Sequence, residues 1–160
     1  HAEAPADAAV ASRVESYRAR LAPVGDRVVG TADEPLTRAN GRLGPLVAEA
    51  ERALAGTDAA VVSPGALRGD IDAGPVTYAE VAGALAYDHP LLRLELTGRE
   101  LRALAGRRGW VAGPERIEPG ATYSVAASEL IAPGGQPVGS EVEALAAYLG
   151  AERVPRAPGG

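Results

Sequence analysis

The chain of 160 residues contains no cysteine, lysine, methionine or phenylalanine. Without cysteine there is no disulfide pattern from which to infer the redox compartment. The only histidines are His1 and His89, too few for a two-metal centre, which needs several ligands holding ions about 3.5–4 Å apart. No apolar run approaches the ~20 residues that cross a bilayer. We therefore expect no metal, no cofactor and no membrane-spanning helix.

The charged residues are unusual both in type and in net charge. All 16 basic residues are arginine, which together with abundant alanine, glycine and proline is typical of a GC-rich genome. The formal net charge of −5 argues against a nucleic-acid coat and against binding to an anionic membrane surface. We therefore expect a partner that is neither nucleic acid nor membrane.

The length favours a single domain, which at this size buries roughly 70% of its unfolded surface. The chain does not begin with methionine, and residues 1–9 fit a tag remnant, a mature end after signal removal or an excision boundary. We predict a flexible segment over 1–6, one domain over 7–152 and a flexible tail over 153–160.

Apolar spacing predicts interleaved helices and short strands. Thr77–Glu80 and Thr97–Glu100 match the capping-box pattern that opens a helix, and Val47, Ala50 and Ala53 mark the apolar side of another helix. The predicted helices are 8–21, 43–55, 77–85, 97–106 and 140–149, and the predicted strands are 26–31, 59–63, 75–77, 91–96, 110–112 and 122–127. Several strands lie close enough to pair antiparallel. The pattern predicts a compact α/β (α+β) domain with a mixed sheet rather than a doubly wound parallel one.

A glycine- and proline-containing loop, Ser63–Asp70, follows the buried strand and presents one arginine. Gly65 lets backbone N–H groups approach a ligand closely, and the guanidinium of Arg68 suits a phosphate or a carboxylate. The alternative is structural, because a salt bridge from Arg68 to Asp70 or Asp72 would pin the loop. The residues alone leave both readings open.

Four segments follow this loop in a recognisable order, namely 72–78, Tyr87-Asp88-His89, 94–101 and 128–138. In this order the chain resembles, from Val24 to Val138, the C-terminal substrate-binding domain of the 5'-nucleotidase / UDP-sugar hydrolase family. The resemblance implies that domain's fold and a nucleotide or nucleoside ligand. Family enzymes hydrolyse phosphate esters with an N-terminal metallophosphoesterase domain, for which these residues supply no counterpart.

The resemblance also implies a ligand-binding set that departs from the family pattern. Tyr87 occupies the position of an aromatic ring that stacks on the base, but Leu130 and Val138 stand where the second loop carries aromatic residues. Ser63 and Ala66 replace Asn and Gly, and Asp88-His89 replaces Gly-Asn. The residues expected to bind the ligand are Arg68, Tyr87, Gly65, Ser63, Ala66, Asp70 and Glu129.

Three functions follow from these observations. The first is a nucleotide- or nucleoside-binding domain of a hydrolase, secreted or periplasmic with a cytoplasmic location left open, which hydrolyses nothing alone and works with a metallophosphoesterase domain. The second is a repurposed, metal-independent biosynthetic enzyme acting on a small molecule such as a small acid, in which His89 and Asp88 are catalytic. The third is a non-catalytic structural or interaction module.

Overall fold

The computed structural model describes residues 22–106 and 109–151. The predicted helix over 8–21 and the segments predicted to be flexible, 1–6 and 153–160, lie outside the described residues. None of the described helices is long and apolar enough to cross a membrane.

The described elements alternate between strands and helices along the chain. The strands are β1 (Val28–Ala32), β2 (Ala59–Val62), β3 (Gly74–Thr77), β4 (Pro90–Thr97), β5 (Trp110–Ala112), β6 (Thr122–Ser128) and β7 (Gln136–Ser140). The helices are α1 (Leu43–Ala55), α2 (Tyr78–Ala84), α3 (Gly98–Ala105) and α4 (Glu141–Ala151).

The strands form two sheets, where the sequence pattern predicted one mixed sheet. The larger sheet has the order β5-β2-β6-β4-β7, and only the β2–β6 pair is parallel. The smaller sheet pairs β1 with β3 antiparallel, with a register shift between Val28 and Gly30. The mixed α/β domain predicted from the sequence is therefore confirmed, with its strands divided between two sheets.

Helices cover both faces of the larger sheet. α1 and α4 pack together on one face, where Leu43, Val47 and Leu145 are fully buried. On the other face Leu101 of α3 packs with Val61 and Val125 of the sheet. β2 is buried along its whole length because helices cover it on both sides, which explains its uninterrupted run of apolar residues.

Three sequence predictions need correction. β7 was missed because its proline and glycine hide the strand pattern, and it pairs only with β4, at the edge of the sheet. α4 continues through Gly150 to Ala151 instead of ending at Leu149. In α1, Ala53 is exposed whereas Glu51 is fully buried, because the helix packs against α4 as well as the sheet.

Candidate functional site

The Arg68 loop and the Tyr87 turn are joined by backbone hydrogen bonds. The N–H groups of Arg68 and Gly69 both donate to the carbonyl of Ala84, at 2.8 and 3.2 Å. Ala86 N–H returns a bond of 2.7 Å to the carbonyl of Ala66. The two segments thus form one short antiparallel pairing, centred on Leu67 and Leu85, that brings both candidate motifs to one surface.

Glycine permits this close approach. A Cβ atom on Gly69 would lie 2.7 Å from the carbonyl oxygen of Gly83, a distance that side chains do not tolerate. At Gly65, by contrast, the nearest atom to an added Cβ is Ser63 Oγ, at 3.8 Å. The packing of the loop therefore requires glycine at position 69, while the space in front of Gly65 is open.

The pairing creates a cleft of about 360 Å³ beside the loop. Three of the predicted site residues line it, namely Arg68, Tyr87 and Asp88. The other lining residues are Tyr78, Ala82, Gly83, Leu85, Ala86 and Val142. Tyr78 and Ala82 lie four positions apart in α2 and therefore share one face of that helix. The sequence predicted the helix but did not show that this face forms a wall of the cleft.

Arg68 presents an exposed guanidinium in this cleft. Within the described residues, no salt bridge joins it to Asp70 or Asp72, so the structural alternative considered for Arg68 is wrong. The carboxylate of Asp70 instead accepts a hydrogen bond of 3.0 Å from the backbone N–H of Arg38. Asp70 anchors the loop and leaves Arg68 available to a ligand.

Tyr87 is an exposed aromatic ring at the mouth of the cleft. Its side chain is 66% exposed, and the imidazole of His89 lies behind it, with ring centroids 5.2 Å apart and tilted by 53°. A large exposed apolar side chain supported by another ring offers a flat face to a planar ligand.

The remaining predicted site residues do not line the cleft. Ser63, Gly65 and Ala66 lie in or next to a short 3-10 turn, Pro64–Ala66, that precedes Arg68. Glu129 is exposed, and its backbone N–H donates 2.9 Å to the carbonyl of Pro90. Ligand contacts by these residues, and catalysis by His89, stay predictions.

Asp88 joins the aromatic turn to the start of α4. Its Oδ1 accepts a hydrogen bond of 3.2 Å from the backbone N–H of Val142, a donor that has no partner within the helix. The carbonyl of His89 accepts another, of 3.2 Å, from Glu141 N–H. The Asp88 carboxylate thus serves as a remote helix cap.

Two glutamates are buried behind this junction. The pKa of Glu141 is raised to about 7, mainly by burial, which outweighs a hydrogen bond from the His89 backbone that lowers it, with a smaller rise from the nearby charge of Asp88. Burial, followed by repulsion from Glu141, raises the pKa of Glu51 well above its usual value. Sequence patterns assigned neither residue a role.

Two larger clefts lie elsewhere on the domain. One, of about 570 Å³, lies between β1 and α4, and the other, of about 600 Å³, is lined by residues such as Arg52, Asp58 and Tyr123. Neither contains a predicted site residue. In the described part of the chain, no three histidine or carboxylate side chains are grouped so that they could hold a metal ion.

The comparison with solved structures finds the same fold in several hydrolases. A 5'-nucleotidase precursor from Thermus thermophilus matches with a TM-score of 0.77 at 21% identity, covering 96% of this chain and 42% of that one. The sulfate thiohydrolase SoxB from the same organism matches with a TM-score of 0.65 at 19% identity, covering 92% and 38%.

Sequence comparison finds a related segment in a much longer protein. The endonuclease YhcR of Bacillus subtilis is 27% identical over 124 residues, which are 74% of this chain and 10% of that protein. The chain therefore spans about a tenth of the length of this curated relative.

The family model for the 5'-nucleotidase C-terminal domain matches residues 28–106, a range that contains both the Arg68 loop and the Tyr87 turn. The resemblance predicted from the motifs is confirmed, and the chain carries the fold and the sequence pattern of a 5'-nucleotidase C-terminal domain.

Proposed function

We propose that this domain recognises a nucleotide or nucleoside for a 5'-nucleotidase-like hydrolase, and that the ligand binds in the cleft between Arg68 and Tyr87. The observation that carries the proposal is the backbone pairing of the two segments, which brings an exposed guanidinium and an exposed aromatic ring to one cleft.

The two side chains suit the two chemical parts of such a ligand. A base offers a planar π-face to Tyr87, and stacking of this kind contributes ~1–3 kcal/mol per base. A phosphate accepts charged hydrogen bonds from the guanidinium of Arg68, each contributing about 1.5–3 kcal/mol. The two contacts together favour a nucleotide over a free base or inorganic phosphate.

The loop that contains Glu129 and Leu130 determines how firmly a base is held. Glu129 N–H binds the carbonyl of Pro90, which places the adjacent Leu130 at the same end of the sheet as the Tyr87 turn. Leu130 is 66% exposed and stands where the family pattern has an aromatic residue. We infer that the base is stacked on one ring only, with an aliphatic side chain near its other face.

The comparisons support this class of ligand without fixing it. One structural neighbour is named a 5'-nucleotidase and another a sulfate thiohydrolase, so the fold serves hydrolases of different substrates. A small anionic ligand that needs only Arg68 is therefore the alternative outcome. Export from the cytoplasm and a partnership with a metallophosphoesterase domain are part of the proposal, as is the absence of hydrolysis by this domain alone.

Isothermal titration with AMP, adenosine and succinate tests the proposal. We expect Arg68→Gln to weaken AMP binding at least about tenfold while changing adenosine binding little, because only AMP carries the phosphate. Tyr87→Ala should weaken both nucleoside ligands, whereas Tyr87→Phe, which keeps the ring, should weaken neither.

Arg116→Gln is the matched control, since Arg116 is an exposed arginine on the loop between β5 and β6. AMP binding that is unchanged in both Arg68→Gln and Tyr87→Ala would exclude this cleft. Binding of succinate alone, lost in Arg68→Gln, would replace the nucleotide by a small acid.

A further inference from the structure

The turn that carries Tyr87 continues the antiparallel pairing of β4 and β7 beyond the ends of both strands. Pro90 of β4 pairs with Ser140 of β7, and one position further the carbonyl of His89 accepts a hydrogen bond of 3.2 Å from Glu141 N–H. The proline that follows His89 confines it to extended backbone conformations. The main chain of His89 is therefore fixed by its neighbours and provides a firm base for its side chain.

The side chains of this segment alternate in what they contact. In an extended chain, neighbouring residues face opposite sides and residues two positions apart face the same side. Asp88 binds α4, where its carboxylate accepts the hydrogen bond from Val142 N–H. Tyr87 and His89 instead contact each other, with ring centroids 5.2 Å apart and planes tilted by 53°, a separation typical of aromatic pairs. The half-buried imidazole thus supports a ring that is largely exposed.

The buried nitrogen of His89 makes no polar contact that would explain the residue. Its Nε2 is shielded from solvent and has no hydrogen-bond partner within the described residues, which is unfavourable for a polar atom. An acid or base needs a nitrogen within hydrogen-bond reach of the group with which it exchanges a proton, and Nε2 is closed off from such a group. The contribution of the imidazole is therefore its flat ring, against which Tyr87 packs.

We propose that His89 is a positioning residue, whose imidazole holds the ring of Tyr87 in the orientation that stacks on the ligand. An exposed side chain without such a neighbour exchanges between rotamers, and a ligand that immobilises it binds less tightly for that reason. Leu130 and Val138 supply no second ring, so the order of Tyr87 decides how well a base is held. The effect on affinity rests on the function proposed above, whereas the ordering of Tyr87 does not.

Proton NMR of the full chain without any ligand tests the ordering of Tyr87. The couplings between its Hα and Hβ atoms show whether the side chain keeps one χ1 rotamer or averages over several. We expect one rotamer in the unmodified protein and in His89→Phe, which keeps a flat ring and removes both nitrogens. His89→Leu and His89→Asn, which remove the ring, should give averaged couplings. Tyr123, whose hydroxyl accepts a bond of 2.9 Å from Glu118 N–H, is the internal control and should keep its couplings throughout.

Three results of the NMR experiment would overturn the proposal. Averaged Tyr87 couplings in the unmodified protein, or a single rotamer retained in His89→Leu, would show that the imidazole does not hold the ring. Averaged couplings in His89→Phe would show that a nitrogen of His89 is required rather than its flat shape. A change in the couplings of Tyr123 marks a variant that has lost its fold, and His89→Asn then takes the place of His89→Leu.

Isothermal titration with adenosine and AMP measures the consequence for binding. His89→Leu should weaken both ligands by the same factor, about threefold to tenfold, because the ligand must then immobilise Tyr87 while the phosphate contact of Arg68 is unchanged. His89→Phe should keep the affinity of the unmodified protein. Unchanged adenosine affinity in His89→Leu, or a loss confined to AMP, would contradict the proposal. If neither ligand binds the unmodified protein, the proposed function is refuted, and the NMR couplings still decide whether His89 orders Tyr87.

Discussion

The starts of α3 and α4 are built in opposite ways. Thr97 and Glu100 cap α3 through bonds of 2.8 and 3.3 Å between residues three positions apart. At α4, the carboxylate that binds Val142 N–H comes from Asp88, 54 positions away, and a buried glutamate stands beside it. The first start is complete within one turn of chain, whereas the second exists only after the domain has folded.

This difference separates the structural part of the molecule from its candidate site. The local capping boxes at α2 and α3 stabilise their helices whatever the rest of the chain does. The Arg68 loop, the Tyr87 turn and the start of α4 instead hold one another through long-range bonds. A ligand that binds among them acts on contacts that connect three separate parts of the chain.

The largest expected effect comes from breaking the loop pairing. Gly69→Ala places a Cβ 2.7 Å from the carbonyl oxygen of Gly83, and we expect it to lower the free energy of unfolding by about 1–3 kcal/mol. Gly83→Ala is the matched control, because nothing lies within 4 Å of its added Cβ in helix α2, where alanine is favoured over glycine. Urea unfolding measures the stability of both variants, and equal free energies of unfolding would show that the loop pairing accommodates the added methyl group without loss of stability.

Removing one cap of each kind sharpens the comparison. Asp88→Ala and Thr97→Ala should each lower the free energy of unfolding by ~1 kcal/mol, since each removes a cap from a helix N-terminus. Only Asp88→Ala should shift the NMR signals of the Tyr87 ring, because only that cap belongs to the turn. A shift of Tyr87 in Thr97→Ala would contradict the separation of the two regions.

The smallest effect is a gain at the second loop. Leu130→Phe returns an aromatic residue to the position where the family pattern has one, and we expect adenosine affinity to rise by about 1 kcal/mol, roughly fivefold. Isothermal titration measures the change. Val138→Ala is the control, because Val138 is the other position where the family pattern has an aromatic residue and this chain does not. Affinity unchanged by Leu130→Phe would place the ligand away from Leu130.

The sequence predicted what is encoded over a few residues. Both capping boxes and the bounds of α1 were identified because residues only a few positions apart define each of them. Arg68 and Tyr87 were identified through the order of motifs. Long-range pairing left no such signal, so the Ala66–Ala86 bond, the glycine requirement at 69 and the cap from Asp88 were not foreseen.

Glu51 shows the limit most clearly. It lies four residues after Val47 and four before Ala55, on a helix face that the structure buries. A glutamate on that face nevertheless predicts contact with solvent, because charged side chains are rarely buried. Its burial depends on α4, which packs against α1 from almost 90 residues further along the chain. No periodicity within one helix reports a neighbour of that kind.

The single tryptophan of the chain pairs with Val62, the residue directly before the Arg68 loop. The indole of Trp110, on β5, packs directly against Gly44 of α1, where a Cβ atom would collide with the ring. Its emission therefore reports whether the sheet and α1 are still together. The protein thus carries an optical signal for unfolding at the strand that pairs with the one leading into the candidate site.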